Sequence, residues 1–414
     1  MLAVVVFREL RGVRLLAGDP SLRLAASAFV LLLLWMGCVV LFVSESPWES
    51  LRAFAGEWGR ASIVLILGGG VTLALHRKKQ SDFTSTVVLV IFGAGTLHML
   101  GHDLAALLHW VRFGNLPAHF SGISDHKANA TYVFALLLPV LAAEAYARHA
   151  CHRSLLGLPL VLSAIALALG VFALITASAT NGWIVAVSLA LLALGFTLAE
   201  RDRSNPLHMT RVRILVALCT AFVAVAVVAI VTDRRYEGFV ETVKIGWDTE
   251  SNRQWLDAEK TRVFPLRSNG QPVDPSTYSR IAWAKEGMRL LLEHPLGVEI
   301  GKHTFQRLLE RKYGAADLSH SHVGLIDLGL NAGFPGIALW LAFLVALGWQ
   351  GIATLRKSRH AVGLALFLTV VGFAIRMLVD GTLRDHILEQ FMFCVGMLAA
   401  ACALSRSEDS VATV

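Results

Sequence analysis

The chain has 414 residues, 55% apolar and only 16% charged, with a net charge of +7. A soluble domain carries about a quarter charged residues, so the composition argues against one, and apolar runs near the ~20 residues needed to cross a bilayer recur along the chain. The basic balance does not point to nucleic acid, because Lys and Arg sit in short clusters between apolar runs and no basic stripe interleaved with aromatics occurs.

Taken in order, Arg8, Arg11, Arg14 and Arg23 precede an apolar run that ends at Val43. That run is longer than a signal-peptide core and no small-x-small cleavage site follows it, so it reads as a retained first span. Candidate spans cover 24–43, 62–75, 84–108, 130–147, 155–177, 183–199 and 212–232, then, after a long polar segment, 336–351, 361–379 and 387–404. The expected fold is an all-α, polytopic transmembrane helical bundle of about 10–12 spans. It divides into N-terminal spans (1–232), a large loop (233–321) and C-terminal spans (322–414).

The loops alternate in charge. Arg8/Arg11/Arg14, Arg77-Lys78-Lys79, Arg148/Arg153, Arg201/Arg203/Arg211/Arg213, Arg356-Lys357/Arg359 and Arg406 fall on one side. On the other fall the Glu-rich 44–59, 110–129, 178–182, the long segment and 380–385. The positive-inside rule then puts both termini in the cytoplasm and the long segment outside. Five cysteines (Cys38, Cys151, Cys219, Cys394, Cys402) avoid that segment and make no Cys-x-x-Cys, so neither disulfides nor a thiolate metal site is expected there.

Within the long segment, Asp274-Pro275-Ser276 is a helix start with proline near the first turn. Ile281, Ala284, Met288, Leu291 and Leu292 recur at helical spacing as an apolar stripe, with Arg280, Trp283 and Gly287 on another face. The helix ends at His294-Pro295, and a second covers 304–312 with Phe305, Leu308 and Leu309 inward. From Tyr278 to Gly336 lies most of the chain's concentrated polar chemistry.

His322 titrates near neutral pH and can take a proton from a hydroxyl nucleophile; the plainer reading is an interfacial histidine bonded to a loop. His320 and His322 with His294, His303 or Asp317 are a weak metal pattern, since zinc needs three or four ligands. Arg280 offers a permanently charged fork for phosphate, against a solvated helix arginine beside Trp283. Arg376 lies inside an apolar run with Asp380 one turn on, so it either pairs with Asp380 or meets a phosphate. His98, His102, Asp103 and His109 share a helix end as an interfacial patch or a polar cleft.

Ser279-Arg280-x-x-Trp283, His294-Pro295-Leu296-Gly297, and His322-x-x-Leu325 running into Gly333-x-x-Gly336 occur in that order on a long outer loop. This arrangement resembles the O-antigen ligase family, within the wider superfamily of O-antigen polymerases and protein O-oligosaccharyltransferases. The resemblance implies a GT-C-like bundle with a helical periplasmic loop domain in the bacterial inner membrane. It also implies a metal-independent, inverting glycosyltransferase without a cofactor. Its partners would be an undecaprenyl-diphosphate-linked glycan, a lipid A–core oligosaccharide and membrane lipids. By the same analogy His322 is the base and Arg280 a diphosphate-binding residue, with Trp283 and His320 in support. Two departures stand out: the usual Asn after the histidine is Val323, and an outer Ser-Arg-Gly turn reads Thr180-Asn181-Gly182. Arg376, Arg234 or Arg235 then stand as replacements for the missing cation, with Asn181 at its position.

A polymerase of the same superfamily shares every motif and differs in its acceptor, and a protein acceptor is a third possibility. A transporter would be expected to carry pseudo-repeats and broken helices meeting at the midplane. The two halves of this chain do not pair in that way.

Overall fold

The computed structural model describes residue 16, residues 18–78, 82–124 and 126–199, residues 216, 217, 220–225, 227 and 228, and residues 238–314, 316–384 and 386–412. Among these residues nine helices are long and apolar enough to cross a membrane. They are α1 (Pro20–Val43), α2 (Pro47–Arg77), α3 (Phe83–Phe113), α4 (Ala128–Ala150), α5 (Leu160–Ala177), α6 (Thr180–Ala199), α10 (Gly324–Ser358), α11 (Val362–Val379) and α12 (Ile387–Ser407). The polar segment carries shorter helices, the longest of them α7 (Phe239–Trp247), α8 (Pro275–Glu293) and α9 (Thr304–Tyr313). The only β feature among the described residues is a bridge between Leu266 and Pro272. The protein is an all-α, multi-pass membrane bundle. Of the candidate span at 212–232 only scattered residues are described, and Arg234 and Arg235 lie outside the described residues.

Two stretches differ from the sequence reading. Residues 44–59, expected as a loop, are helical from Pro47, which sits in the first turn with Glu49, where a missing N–H costs nothing and negative charge suits the helix terminus. A π-helical turn at Ala55–Gly59 then joins this segment to the apolar part of α2. The helix expected at 336–351 begins at Gly324 and runs through the Gly-Phe-Pro-Gly sequence. It does so by a kink at Gly333 (φ 66°), with Pro335 opening the second half. The Trp35 indole N–H donates to the Ala332 carbonyl at the kink, 2.6 Å away, leaving that buried acceptor satisfied.

The bundle packs by close backbone approach, as expected where helices lack a hydrophobic drive to associate. α12 crosses α2 where Gly68 faces the Phe393 backbone and Gly396 faces Leu65. Near the end of α11 the fully buried Arg376 lies 3.7 Å over the Tyr132 ring, donates to Thr131 (2.7 Å) and pairs with Asp380 (3.3 Å). Asn181 donates to the same Asp380 carboxylate. This knot ties α4, α6 and α11 together.

The polar segment has a core of its own around Trp255, Tyr278, Trp283, Phe305 and Leu309, extended by Ile326 and Leu330 of α10. α8 is capped by Asp274, which accepts from the Thr277 N–H. Its buried face is Tyr278, Ala282, Trp283, Glu286, Gly287, Leu290 and Leu291. This corrects the expected stripe. Met288 and Leu292 face outward at 42% and 71% exposure, because the aromatic Tyr278/Trp283 ridge buries more surface than the aliphatic one.

The module docks on the kink of α10. The Val298 N–H donates to Leu330 O (2.9 Å) and the Phe334 N–H to Pro295 O (2.8 Å). Gly297 (φ 89°) and Gly333 lie backbone against backbone, and a Cβ on Gly297 would stand 2.6 Å from the Asn331 carbonyl. The two glycine motifs are halves of one contact. Arg311–Glu45 (2.6 Å) and Arg307–Glu49 (3.4 Å) bind the module to the start of α2. At the opposite end of the bundle Asp19 pairs with Arg406 (2.9 Å), and Arg153 meets His360 (3.3 Å). The described chain ends therefore lie together, away from the module.

Candidate active site

His322 precedes α10 and holds a left-handed backbone (φ 57°), a conformation that costs a non-glycine residue roughly 1–2 kcal/mol. Its surroundings hold it there. The Ser321 N–H and hydroxyl both donate to Asp327 (3.0 and 2.7 Å), and the Gly324 N–H donates to Asp380 O (2.9 Å). The Trp283 ring stacks on the imidazole at 4.9 Å and 17°, itself fixed by its indole N–H to Trp255 O (3.1 Å). Neither His322 nitrogen has a hydrogen-bond partner among the described residues. An imidazole clamped by its face and free at its edge can receive a proton.

His320 lies 3.9 Å from His322, ring centre to ring centre. The Arg384 guanidinium donates to His320 Nδ1 (2.7 Å), to Ser319 Oγ (2.8 Å) and to Lys302 O (2.7 Å). Arg can only donate, so Nδ1 is the acceptor and the ring proton sits on Nε2. Burial, then the positive charges of Arg280 and Arg384, push His322 down to about 4, with Asp380 acting the other way. Burial, His322 and Arg384 push His320 down to about 2. Both rings are neutral at pH 7.

Arg280 is one turn before Trp283 on α8, so one helix face presents the stacking indole and the guanidinium to the same imidazole. Its only hydrogen bond among the described residues is a long one, 3.5 Å to Val379 O, which leaves most of the fork open. Arg376 and Asn181, expected near an anion, both meet Asp380 inside the bundle; Arg376 is 1% exposed and leaves its Nε and Nη1 without a hydrogen-bond partner among the described residues. Arg235 lies outside the described residues. Among the described residues no group of three or more His, Cys, Asp or Glu side chains is placed to hold a metal ion; His303 meets Gln306 (3.1 Å), and Arg384 holds His320. In the helical set of α3, His102 is buried against Thr176 (3.0 Å) and His98 meets Ser124 (3.3 Å).

Three cavities border Lys302, and one of them reaches the imidazole pair, at His320. A void of about 20 Å³ touches His320, Asp327 and Arg384. A larger one, about 400 Å³, is lined by Arg60, His126, Lys302, Arg384 and His386. The third, about 520 Å³, lies between the start of α2 and residues 300–307. Glu57 borders all three.

The sequence reading did not weigh Arg384, Lys302 or Arg60. On the loop-charge reading Arg60 and Arg384 carried a signal, as cations at or beside the short stretches 44–59 and 380–385 expected outside, whereas Lys302, one of many cations in the long segment, carried none. Such exceptions invite a functional reason.

The fold and this site define a membrane-embedded protein that gathers neutral imidazoles and free cations where a polar module meets the bundle. Residues 164–341 match the family model described as O-antigen ligase, a stretch that includes Arg280, Trp283 and His322. The match supports assigning the chain to the O-antigen ligase family. It implies a glycosyltransferase-like enzyme of the ligase/polymerase superfamily that works on polysaccharide and lipid-linked substrates. No curated protein matches the chain.

Proposed function

We propose that the protein is an O-antigen ligase of the bacterial inner membrane. In this reading it moves a glycan from undecaprenyl diphosphate to a sugar hydroxyl of lipid A–core, without a metal. The observation that carries it is the neutral, edge-free imidazole of His322 stacked on Trp283, one helical turn from Arg280, with the Arg384 that holds its neighbour His320 lining the 400 Å³ cavity. The charge asymmetry of the loops supports an outward-facing site, with the described chain ends on the cytoplasmic side.

The carrier's diphosphate enters the 400 Å³ cavity, where Arg384 and Lys302 oppose its charge, while Arg280 acts from beside His322. His322 takes the proton of the acceptor hydroxyl as that oxygen attacks the anomeric carbon. The bond from that carbon to the diphosphate oxygen breaks, and the electron pair leaves on the diphosphate. Direct displacement inverts the carbon. Bound diphosphate is negative, so it also raises the proton affinity of His322 just when a base is needed. Preorganised cations at a developing charge typically contribute about 10²–10³ in rate each. Arg376 and Asn181 act here as the fixed wall behind Asp380 rather than as diphosphate ligands.

The test uses purified chain, carrier-linked glycan and chelator, with lipid A–core and undecaprenyl-linked acceptors offered in parallel. Transfer to lipid A–core that is lost in His322→Ala is expected. Transfer only to the undecaprenyl-linked acceptor makes the protein a polymerase, and full activity of His322→Ala overturns the role of the imidazole.

A further inference from the structure

We propose that the 520 Å³ cavity is the acceptor's entrance, taking an anionic, lipid-anchored oligosaccharide whose hydroxyls meet the Glu57 carboxylate. The inference rests on the glycosyl-transfer reading above and assigns the second substrate a place of its own.

Glu57 sits in the π-helical turn of α2, a type of turn often found at functional sites. It is 7% exposed, and its Oε1 is buried with no hydrogen-bond partner among the described residues. A buried oxygen left without a donor is costly, and this carboxyl oxygen can accept one. A sugar hydroxyl supplies the missing donor. Glu57 therefore selects a hydroxyl-rich group at the junction of the cavities.

The walls of the 520 Å³ cavity specify the rest of the ligand. Arg52 and Lys302 line it and have no carboxylate partner among the described residues. They suit phosphate or carboxylate groups on the saccharide. Nearby on α1 and α2, Leu41, Phe42, Trp48 and Leu51 are 68%, 82%, 63% and 43% exposed. An apolar rim next to a basic cavity fits a ligand with an acyl tail and an anionic head. Its volume lies within the range of small-molecule sites, about 300–1,000 Å³.

The donor fits the other cavity better. Its leaving diphosphate needs cations that also face His322, and Arg384 lines the 400 Å³ cavity but not this one. Two substrates thus approach from two sides and meet at Glu57, beside the void that touches His320.

The experiment uses the full chain in nanodiscs, with Glu57→Gln and Arg52→Gln variants. The donor is undecaprenyl-diphosphate glycan, and the acceptor is rough lipopolysaccharide, native or dephosphorylated. Both variants should raise the acceptor KM about tenfold or more while leaving the donor KM unchanged. Arg52→Gln should also stop distinguishing native from dephosphorylated acceptor. An unchanged acceptor KM in both variants, or a rise confined to the donor KM, overturns the assignment. Direct binding of native rough lipopolysaccharide to immobilised protein decides the matter even if the wild type transfers to no acceptor. In that case ligase function fails, yet weaker binding by both variants still supports the entrance and equal binding refutes it. Should Glu57→Gln not fold, the exposed Arg52→Gln carries the test alone.

Discussion

The base assignment makes a sharp prediction about acid. An ordinary histidine has a pKa of about 6.5, and at pH 5 only about 3% of it is neutral. Burial and the Arg280 and Arg384 charges hold His322 at about 4, so about 90% of it stays neutral at pH 5 in the free enzyme. The two cases differ about thirtyfold in kcat/KM at that pH. Initial rates with limiting donor between pH 4 and 8, on enzyme held only briefly at each pH, measure the limb. In kcat, which reports the donor complex, the limb should move upward, because the diphosphate adds negative charge near the ring. A kcat/KM limb centred near 6.5 would refute the desolvated, cation-flanked imidazole. Stability follows the same linkage. The folded state holds its proton less tightly than the unfolded chain, so this group costs nothing above about pH 6.5. Stability is lost as pH falls from there towards about 4, reaching about 3 kcal/mol.

Arg384→Gln removes the donor to His320 Nδ1, Ser319 Oγ and Lys302 O and one cation of the cavity; kcat/KM should fall about 10²–10³-fold, while stability in detergent falls by about 1 kcal/mol per lost hydrogen bond. Gly333→Ala forces a Cβ onto a φ of 66° and against the Leu296 and Pro295 backbone; it should destabilise by more than ~1–2 kcal/mol, seen as a lower melting temperature and early proteolysis of the module. Arg376→Met strands the buried Asp380 and should cost about 3–5 kcal/mol, lowering yield and melting temperature. If it instead left stability intact and raised only the donor KM, Arg376 would be a diphosphate ligand after all.

The sequence made some of the site legible and hid the rest for definable reasons. Arg280, Trp283 and His322 stand out because local spacing carries them: a helix face and a histidine just before an apolar run. For Arg376 the sequence left two readings open, since a charge inside an apolar run fits both an ion pair and a ligand site. Only the placement of Thr131 and Tyr132 on a separate helix separates the two. Arg384 and Lys302 went unweighed because they lie far apart in sequence and are brought together in space, where the guanidinium donates to the Lys302 carbonyl. The apolar stripe of α8 was misread by about one position because aliphatic spacing was counted and the heavier aromatic ridge was not.

Bilayer-length apolar runs and alternating basic loops settled from the chain alone that this is a multi-pass helical protein with one large polar segment. These are one-dimensional properties, set by the cost of exposing backbone and charge to hydrocarbon. Where the segment folds back was decided only in three dimensions, when Gly297 and Gly333 let two backbones touch. That contact seats the module so that Trp283 covers His322 and Arg384 reaches His320. Contacts between residues so distant in sequence depend on the packing of the whole bundle, and no local pattern encodes them.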